Sequence, residues 1–226
     1  MPMLTANPAP ANRSFECEGF VLAGGASSRF GSEKSLALLG ATPLIDHAIR
    51  LLSHVASRVR IAGARTQSLG DFAPIVHDIS PDSGPLGGVF AGLQAAASEY
   101  SLFLPVDLPL IPPQLIHALL ARASRTHAPV TCLRLNGHLE PFPALVHRSI
   151  RPQVSAALAA HASCARLWSS LAGLDSPAVE SLQQAAQLPR LPIPPSLWWR
   201  SANTPADLAF LEACSGRVLG SPRQIP

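Results

Sequence analysis

Short apolar runs alternate with longer amphipathic stretches along most of this chain. Gly19 to Ala23 is an unbroken apolar run meeting two glycines, the pattern of a buried strand followed by a loop. Val59 to Ala62, Pro74 to His77, Ser101 to Val106, Val130 to Leu133 and Ala144 to His147 read as further short strands. Between them apolar residues recur at helical spacing. Leu44, Ile45, Ala48, Leu51, Leu52 and Val55 share one helical face, as do Leu86, Val89, Phe90, Leu93 and Ala97. Pro112 and Pro113 open another helix carrying Leu115, Ile116, Leu119 and Leu120, with proline in the first turn where its missing N–H costs nothing. Val154 to Ala160 predicts a further helix. Thr204-Pro205 predicts the start of the last one, with Thr204 as N-cap and Pro205 at the first helical position. Pro177 to Pro195 has no period and predicts an irregular surface segment.

Strands alternating with helices imply a three-layer α/β/α domain with a mainly parallel central sheet. Ligands of such sheets bind outside the carboxyl ends of the strands. That rule singles out three loops: after Ala23, after His77 and after Val106. The pattern gives a flexible N-terminal tail at residues 1–17, a single domain at 18–213 and a C-terminal tail at 214–226.

Composition narrows the class. The chain has 226 residues, enough for one domain with a real core; 47% are apolar and 14% charged, which fits a folded protein. The net charge of +3, with no basic cluster, argues against a nucleic-acid partner. No apolar run approaches the roughly 18 residues needed to span a bilayer, so no membrane partner is expected. Met1 to Ser14 lacks the basic start and apolar stretch of a signal peptide. Cys17, Cys132, Cys164 and Cys214 are scattered, without metal-ligand spacing, and read as small buried thiols in a reducing cytoplasm.

The chemistry concentrates in the first loop, Leu22-Ala23-Gly24-Gly25-Ala26-Ser27-Ser28-Arg29-Phe30-Gly31-Ser32-Glu33-Lys34. Adjacent glycines let backbone approach a ligand closely, and successive free N–H groups form an anion-binding concavity. Arg29 adds a planar fork for phosphate oxygens and Lys34 a mobile point charge. The string is neither the dinucleotide fingerprint GxGxxG nor the P-loop GxxxxGK[ST]. Asp107 is a carboxylate at the end of a buried strand, before a Leu-Pro turn. It is placed to hold Mg²⁺, which prefers one or two carboxylates together with phosphates and water.

The loop closely resembles the LAGGxSxRFGxxK signature of nucleotidyltransferases with the sugar-nucleotide-transferase type of fold. Within them it looks most like the molybdenum cofactor guanylyltransferases. Gly84-Pro85-Leu86-Gly87-Gly88 resembles their GPLAG loop, Leu104-Pro105-Val106-Asp107-Leu108-Pro109 their strand ending in PxDxP, and Asn203-Thr204-Pro205-Ala206-Asp207-Leu208 their NTPEDL. The likeness runs from about Gly19 to about Leu211, weakly between Ser149 and Arg200. It implies a nucleotide-diphospho-sugar transferase-like fold and transfer of GMP from GTP to the molybdenum-bearing pterin, with Mg²⁺ as cofactor. Arg29, Lys34 and Asp107 would be catalytic, with Asp107 on the metal. Leu22, Ala23, Gly24, Gly25, Lys34, Asp78 and Asp107 would bind the nucleotide, although Asp78 also fits a plain loop cap and Asp82 competes for its role. Asn203 would lie beside metal and phosphates, or merely open the last helix. The resemblance also implies a molybdopterin-type acceptor and transient contact with cofactor-synthesis or molybdoenzyme partners.

Two departures matter. The family's asparagine near the base is missing from Ala62-Gly63-Ala64-Arg65, so guanine selectivity is less secure than triphosphate binding. Ser201 stands where the family tends to have a second asparagine. Arg166 is the best candidate for the basic residue facing the pterin phosphate. Cytidylyl transfer, transfer to another small phosphate, and non-catalytic nucleotide binding remain the competing readings. His47, His54, His127 and His138 have no ligand-like spacing, and Trp198-Trp199 is either core or acceptor pocket.

Overall fold

Side-chain alternation along the central strands decides the layering. The computed structural model describes residues 15–24, 33–64, 66–77 and 83–219, the last five by backbone alone. In β1 (Cys17–Leu22), Cys17 and Val21 join one apolar cluster while Phe20 and Leu22 join another on the opposite face. After β1 a two-strand hairpin, β2 (Leu38–Leu39) and β3 (Thr42–Pro43), leads into α1 (Leu44–Ser53). Then come β4 (Val59–Ala62), β5 (Ile75–Val76), α2 (Gly84–Ala95), β6 (Tyr100–Pro105) and α3 (Pro113–Thr126). The antiparallel pair β7 (Val130–Leu135) and β8 (His138–His147) follows, with α4 (Arg151–Ala159) and α5 (Cys164–Ser170) after it. The chain ends through α6 (Val179–Gln184), α7 (Pro195–Trp198) and α8 (Pro205–Leu219).

The six-stranded sheet has the order β5-β4-β1-β6-β8-β7. β5, β4, β1 and β6 run parallel, and β8 alone is antiparallel to its neighbours. Apolar side chains of α1, α3 and α8 pack on the Val21 face; those of α2, α4 and α5 pack on the Phe20 face. Each fully buried Leu, Ile or Phe contributes roughly 1.5–3 kcal/mol, against about 0–1 kcal/mol for an exposed ion pair, so burial on the two faces dominates the fold. Phe20 and Phe103 sit in register across β1 and β6, with ring centroids 5.3 Å apart.

Four expectations need correction. Cys17, placed in the N-terminal tail, opens β1 and is buried, because it pairs in register with Tyr100, on which Phe15 also packs. α8 runs to Leu219, past the expected boundary at 213. Pro177 to Pro195 is not merely irregular surface: it contains α6 and buries Val179, Leu182 and Leu188. Residues just before α6 also cover the outer edge of β7, where the Cys132 N–H donates to the Asp175 carbonyl and the Arg134 N–H to that of Pro177, each at 3.0 Å. The two-residue strand β5 is shorter than the run from Pro74 to His77 suggested.

Candidate functional site

The chain order creates the cleft. From β1 the chain moves outward through β4 to β5, then crosses by α2 to β6 on the other side of β1. The loops leaving β1 and β6 therefore diverge, and a crevice opens at their carboxyl ends, where open α/β sheets bind ligands. The two strands stay tied to the brink. Leu22 is in register with Pro105, and the Val106 N–H donates to the Leu22 carbonyl at 3.0 Å. The crevice is lined by Leu22, Ala23, Gly24, Lys34, Ser35, Pro85, Pro105, Val106, Asp107 and Asn203.

Close backbone packing shapes its floor. The Ala23 N–H donates to the Ala62 carbonyl at 3.0 Å, and a Cβ on Gly24 would come within 3.0 Å of the Gly63 carbonyl oxygen. A larger residue at Gly24 would require the Gly63 backbone to give by a few tenths of an ångström. Gly84 opens α2 at φ +61°, a left-handed conformation that glycine adopts without strain. The next residue, Pro85, reaches the crevice wall.

Three side chains meet across the opening. The Lys34 Nζ donates to Asp107 Oδ2 at 2.8 Å and to Asn203 Oδ1 at 2.7 Å. Lys34 and Asp107 are 17% and 23% exposed at their side chains, so the pair is shielded from water on most sides. Among the described residues no hydrogen bond reaches Asp107 Oδ1. Lys34 begins a single 3₁₀ turn, with the Glu33 carboxylate accepting from the Ser35 N–H at its start.

Asn203 owes its place to two anchors. The Ala202 N–H donates to the Asp107 main-chain carbonyl at 2.9 Å, binding this segment to the loop after β6. Thr204 caps α8 as expected, its Oγ1 accepting from the Asp207 N–H at 3.1 Å. The Asp207 carboxylate in turn accepts from the Thr204 hydroxyl, the Asn203 N–H and Arg200. The Thr204 hydroxyl foremost, with the Asn203 N–H and Arg200, holds the Asp207 carboxyl below the usual range. The turn before α8 is thus a reciprocal cap that also fixes Asn203.

Of the residues singled out from sequence, Leu22, Ala23, Gly24, Lys34, Asp107 and Asn203 converge here. Gly25, Arg29 and Asp78 lie outside the described residues, as does Asp82. Ser201 is half-buried and does not line the crevice. Arg166 is exposed in the first turn of α5, on the face of α2 and α4, and does not line it either. Ser35, which lines the crevice with its side chain buried, was missed, because a lone serine after a lysine carries no local signal. Trp198 is fully buried and donates to the Ile193 carbonyl at 2.8 Å, so it is a core residue; Trp199 donates to the Phe142 carbonyl. No cluster of three or more His, Cys, Asp or Glu side chains able to hold a metal occurs among the described residues. Among them no helix is long and apolar enough to cross a membrane.

The sequence profile of the MobA-like NTP transferase domain matches residues 19–177. A molybdenum cofactor guanylyltransferase of Vibrio cholerae is 34% identical over 160 residues, covering 70% of this chain and 78% of the relative. One from Serratia proteamaculans is 36% identical over 148 residues, covering 64% and 74% respectively. The crystal structure of molybdopterin-guanine dinucleotide biosynthesis protein A from Archaeoglobus fulgidus superposes with a TM-score of 0.71 at 18% identity, covering 88% of this chain and 99% of that one. The profile match takes in the glycine loop after β1, the opening of α2, and β6 with Asp107 just beyond it. The chain belongs to the family of MobA-like NTP transferase domains.

Proposed function

We propose that this nucleotidyltransferase moves GMP from GTP to the terminal phosphate of the molybdenum-bearing pterin cofactor, releasing pyrophosphate. One observation carries the reading: Lys34, Asp107 and Asn203, from three distant parts of the chain, meet at the switch point of the sheet. The names of the Vibrio and Serratia relatives supply the acceptor and the base.

The reaction is an in-line displacement. A phosphate oxygen of the acceptor forms a bond to the α-phosphorus while the bond from that phosphorus to the α–β bridging oxygen breaks, and pyrophosphate leaves with the electron pair. Two anions must approach each other, so the protein's work is positioning and charge neutralisation. The Lys34 ammonium neutralises triphosphate charge, and Arg29 is assigned the same task. The backbone at Ala23 to Gly25 cradles the nucleotide, and Asp78 is assigned to its pocket. Ser201 and Arg166 are retained as candidate acceptor contacts.

The donors present fit Mg²⁺. Asp107 offers a hard carboxylate; among the described residues no hydrogen bond reaches its Oδ1 and no thiolate or imidazole lines the crevice. A metal that takes one or two carboxylates and completes its shell with phosphate and water suits that set. When bound, it supplies Lewis-acid polarisation of the phosphate oxygens. The cytoplasm is the proposed setting, in keeping with four unpaired cysteines. Ala62, Gly63 and Ala64 offer no side-chain hydrogen bonds to a base, so the preference for guanine is expected to be moderate.

Pyrophosphate release with GTP, ATP, CTP and UTP, with and without the pterin cofactor, tests the proposal. Release that requires the pterin and is fastest with GTP supports it. Faster turnover with CTP would replace guanylyl by cytidylyl transfer, and pterin-independent release would remove the acceptor assignment.

A further inference from the structure

The geometry points to an exchange at Asp107: we infer that Lys34 and the catalytic metal compete for one carboxylate, so the free protein excludes the metal until a triphosphate draws Lys34 away. This rests on the transferase reading above, and deepens it by setting the order in which the site fills.

The Lys34 Nζ has two acceptors within the protein itself. It lies 2.8 Å from Asp107 Oδ2 and 2.7 Å from Asn203 Oδ1, and both carboxylate and lysine are mostly shielded from water. A divalent cation approaching Asp107 in this state meets a carboxylate whose charge is cancelled and a like charge in contact with it. Like charges at such range repel by several times thermal energy where water screens poorly. Asp107 is the carboxylate that lines the crevice among the described residues. The triphosphate changes the balance. It offers Lys34 a more highly charged partner and brings phosphate oxygens that complete the metal's shell. Asn203 keeps the ammonium at the rim during the transfer, because its amide oxygen holds Nζ independently of Asp107. The backbone bond from the Ala202 N–H to the Asp107 carbonyl fixes the two seats relative to each other, so the lysine can leave one without the other moving.

The site should therefore fill with metal and nucleotide together, or nucleotide first, and hardly at all with metal alone. The test is Mn²⁺ titration of the nucleotide-free protein, followed by electron paramagnetic resonance of unbound Mn²⁺. The wild type and Lys34→Arg, which keeps the charge, should bind Mn²⁺ weakly. Lys34→Met removes the competing charge and should bind it at least about tenfold more tightly. The double variant Lys34→Met, Asp107→Asn should lose that gain. If Lys34→Met binds Mn²⁺ no better than wild type, the exchange does not occur. If the double variant keeps the gain, the metal sits elsewhere and the inference also falls. Neither GTP nor pterin enters this titration, so its failure leaves guanylyl transfer standing, and a failed transfer assay leaves the exchange standing.

Discussion

Replacing Asp107 by asparagine separates charge from architecture at the centre of the site. The substitution keeps size and a carbonyl oxygen, so Lys34 retains an acceptor near the 2.8 Å it now spans. The main-chain carbonyl of Asp107, which holds Ala202 at 2.9 Å, is untouched. What disappears is one negative charge, in a pair whose side chains are 17% and 23% exposed. Two unit charges in contact near a surface attract by roughly 4 kcal/mol at an effective dielectric of about 20, but desolvation and side-chain entropy cancel most of that. The net stability loss should be about 1 kcal/mol or less, a fall of roughly 4 °C at most in the melting temperature of a domain this size. The effect on turnover should be far larger. Losing one preorganised electrostatic contact to a reacting phosphate commonly costs about a hundredfold in rate or more, roughly 3 kcal/mol. The assay is pyrophosphate release as a function of Mg²⁺ concentration, with a thermal melt of the same preparation. The expected outcome is a near-normal melt, a rate down by at least about a hundredfold, and a shift of half-saturation to higher Mg²⁺. A folded variant with undiminished rate at low Mg²⁺ would refute the placement of the metal on Asp107.

Other predictions use different parts of the molecule. Lys34→Ala should weaken triphosphate binding and turnover together, and Arg29→Lys should harm both because the bidentate fork is lost although the charge stays; wild-type kinetics in both variants would show that this loop does not hold the phosphates. Burial pushes the Glu18 carboxyl up, but the Ser98 and Ala97 N–H groups and Arg60 together outweigh it and hold it below its ordinary value. Its stabilising contribution is thus complete above the unfolded value of about 4.3 and is lost as pH falls through the lower folded one. Glu18→Gln should cost about 1–3 kcal/mol at neutral pH and flatten the acid limb of the stability profile, as read by urea unfolding between pH 3 and 7; an unchanged acid limb would contradict it. Burial pushes the thiols of Cys17, Cys132 and Cys164 up to about 12, so a thiol reagent at neutral pH should modify Cys214 and leave the other three until the protein unfolds. Rapid native labelling of all four would show that the two apolar clusters are looser than described.

Local pattern revealed the parts of this fold that are held together locally. β1 and β6 are buried on both faces in a parallel sheet, so they appear as mainly apolar runs, and Val59–Ala62 matched residue for residue despite Arg60. α3 declared itself by Pro113 in its first turn and a full apolar face. The first half of β8 did not, because Pro141 and Pro143 argue against a strand. The structure accommodates them where the ladder is interrupted: pairing with β6 reaches only Ala144, and the register with β7 shifts between Thr131 and Leu133. α6 was hidden for another reason. Its six residues are too few to show a period, and Val179 and Leu182 are buried by packing near β7, a contact between residues about 45 apart in sequence that no local window contains. The site divides the same way. The glycines after β1 and Asp107 after β6 stood out by residue type at strand ends, and Lys34 by its place in the loop that follows β1. That Lys34 binds both Asp107 and Asn203, 73 and 169 positions away, follows only from the strand order and the tether at Ala202.

The central claim is tested most directly by following the nucleotide's phosphorus. The purified protein is incubated with Mg²⁺, the molybdenum-bearing pterin cofactor and GTP labelled at the α-phosphate, with labelled CTP and ATP in parallel, and the pterin is then separated and counted. The account predicts label from GTP on the pterin in step with pyrophosphate release, less from CTP and ATP, and none with Asp107→Asn on the same time scale. Label arriving faster from CTP, or no label on the pterin from any nucleotide, would contradict it.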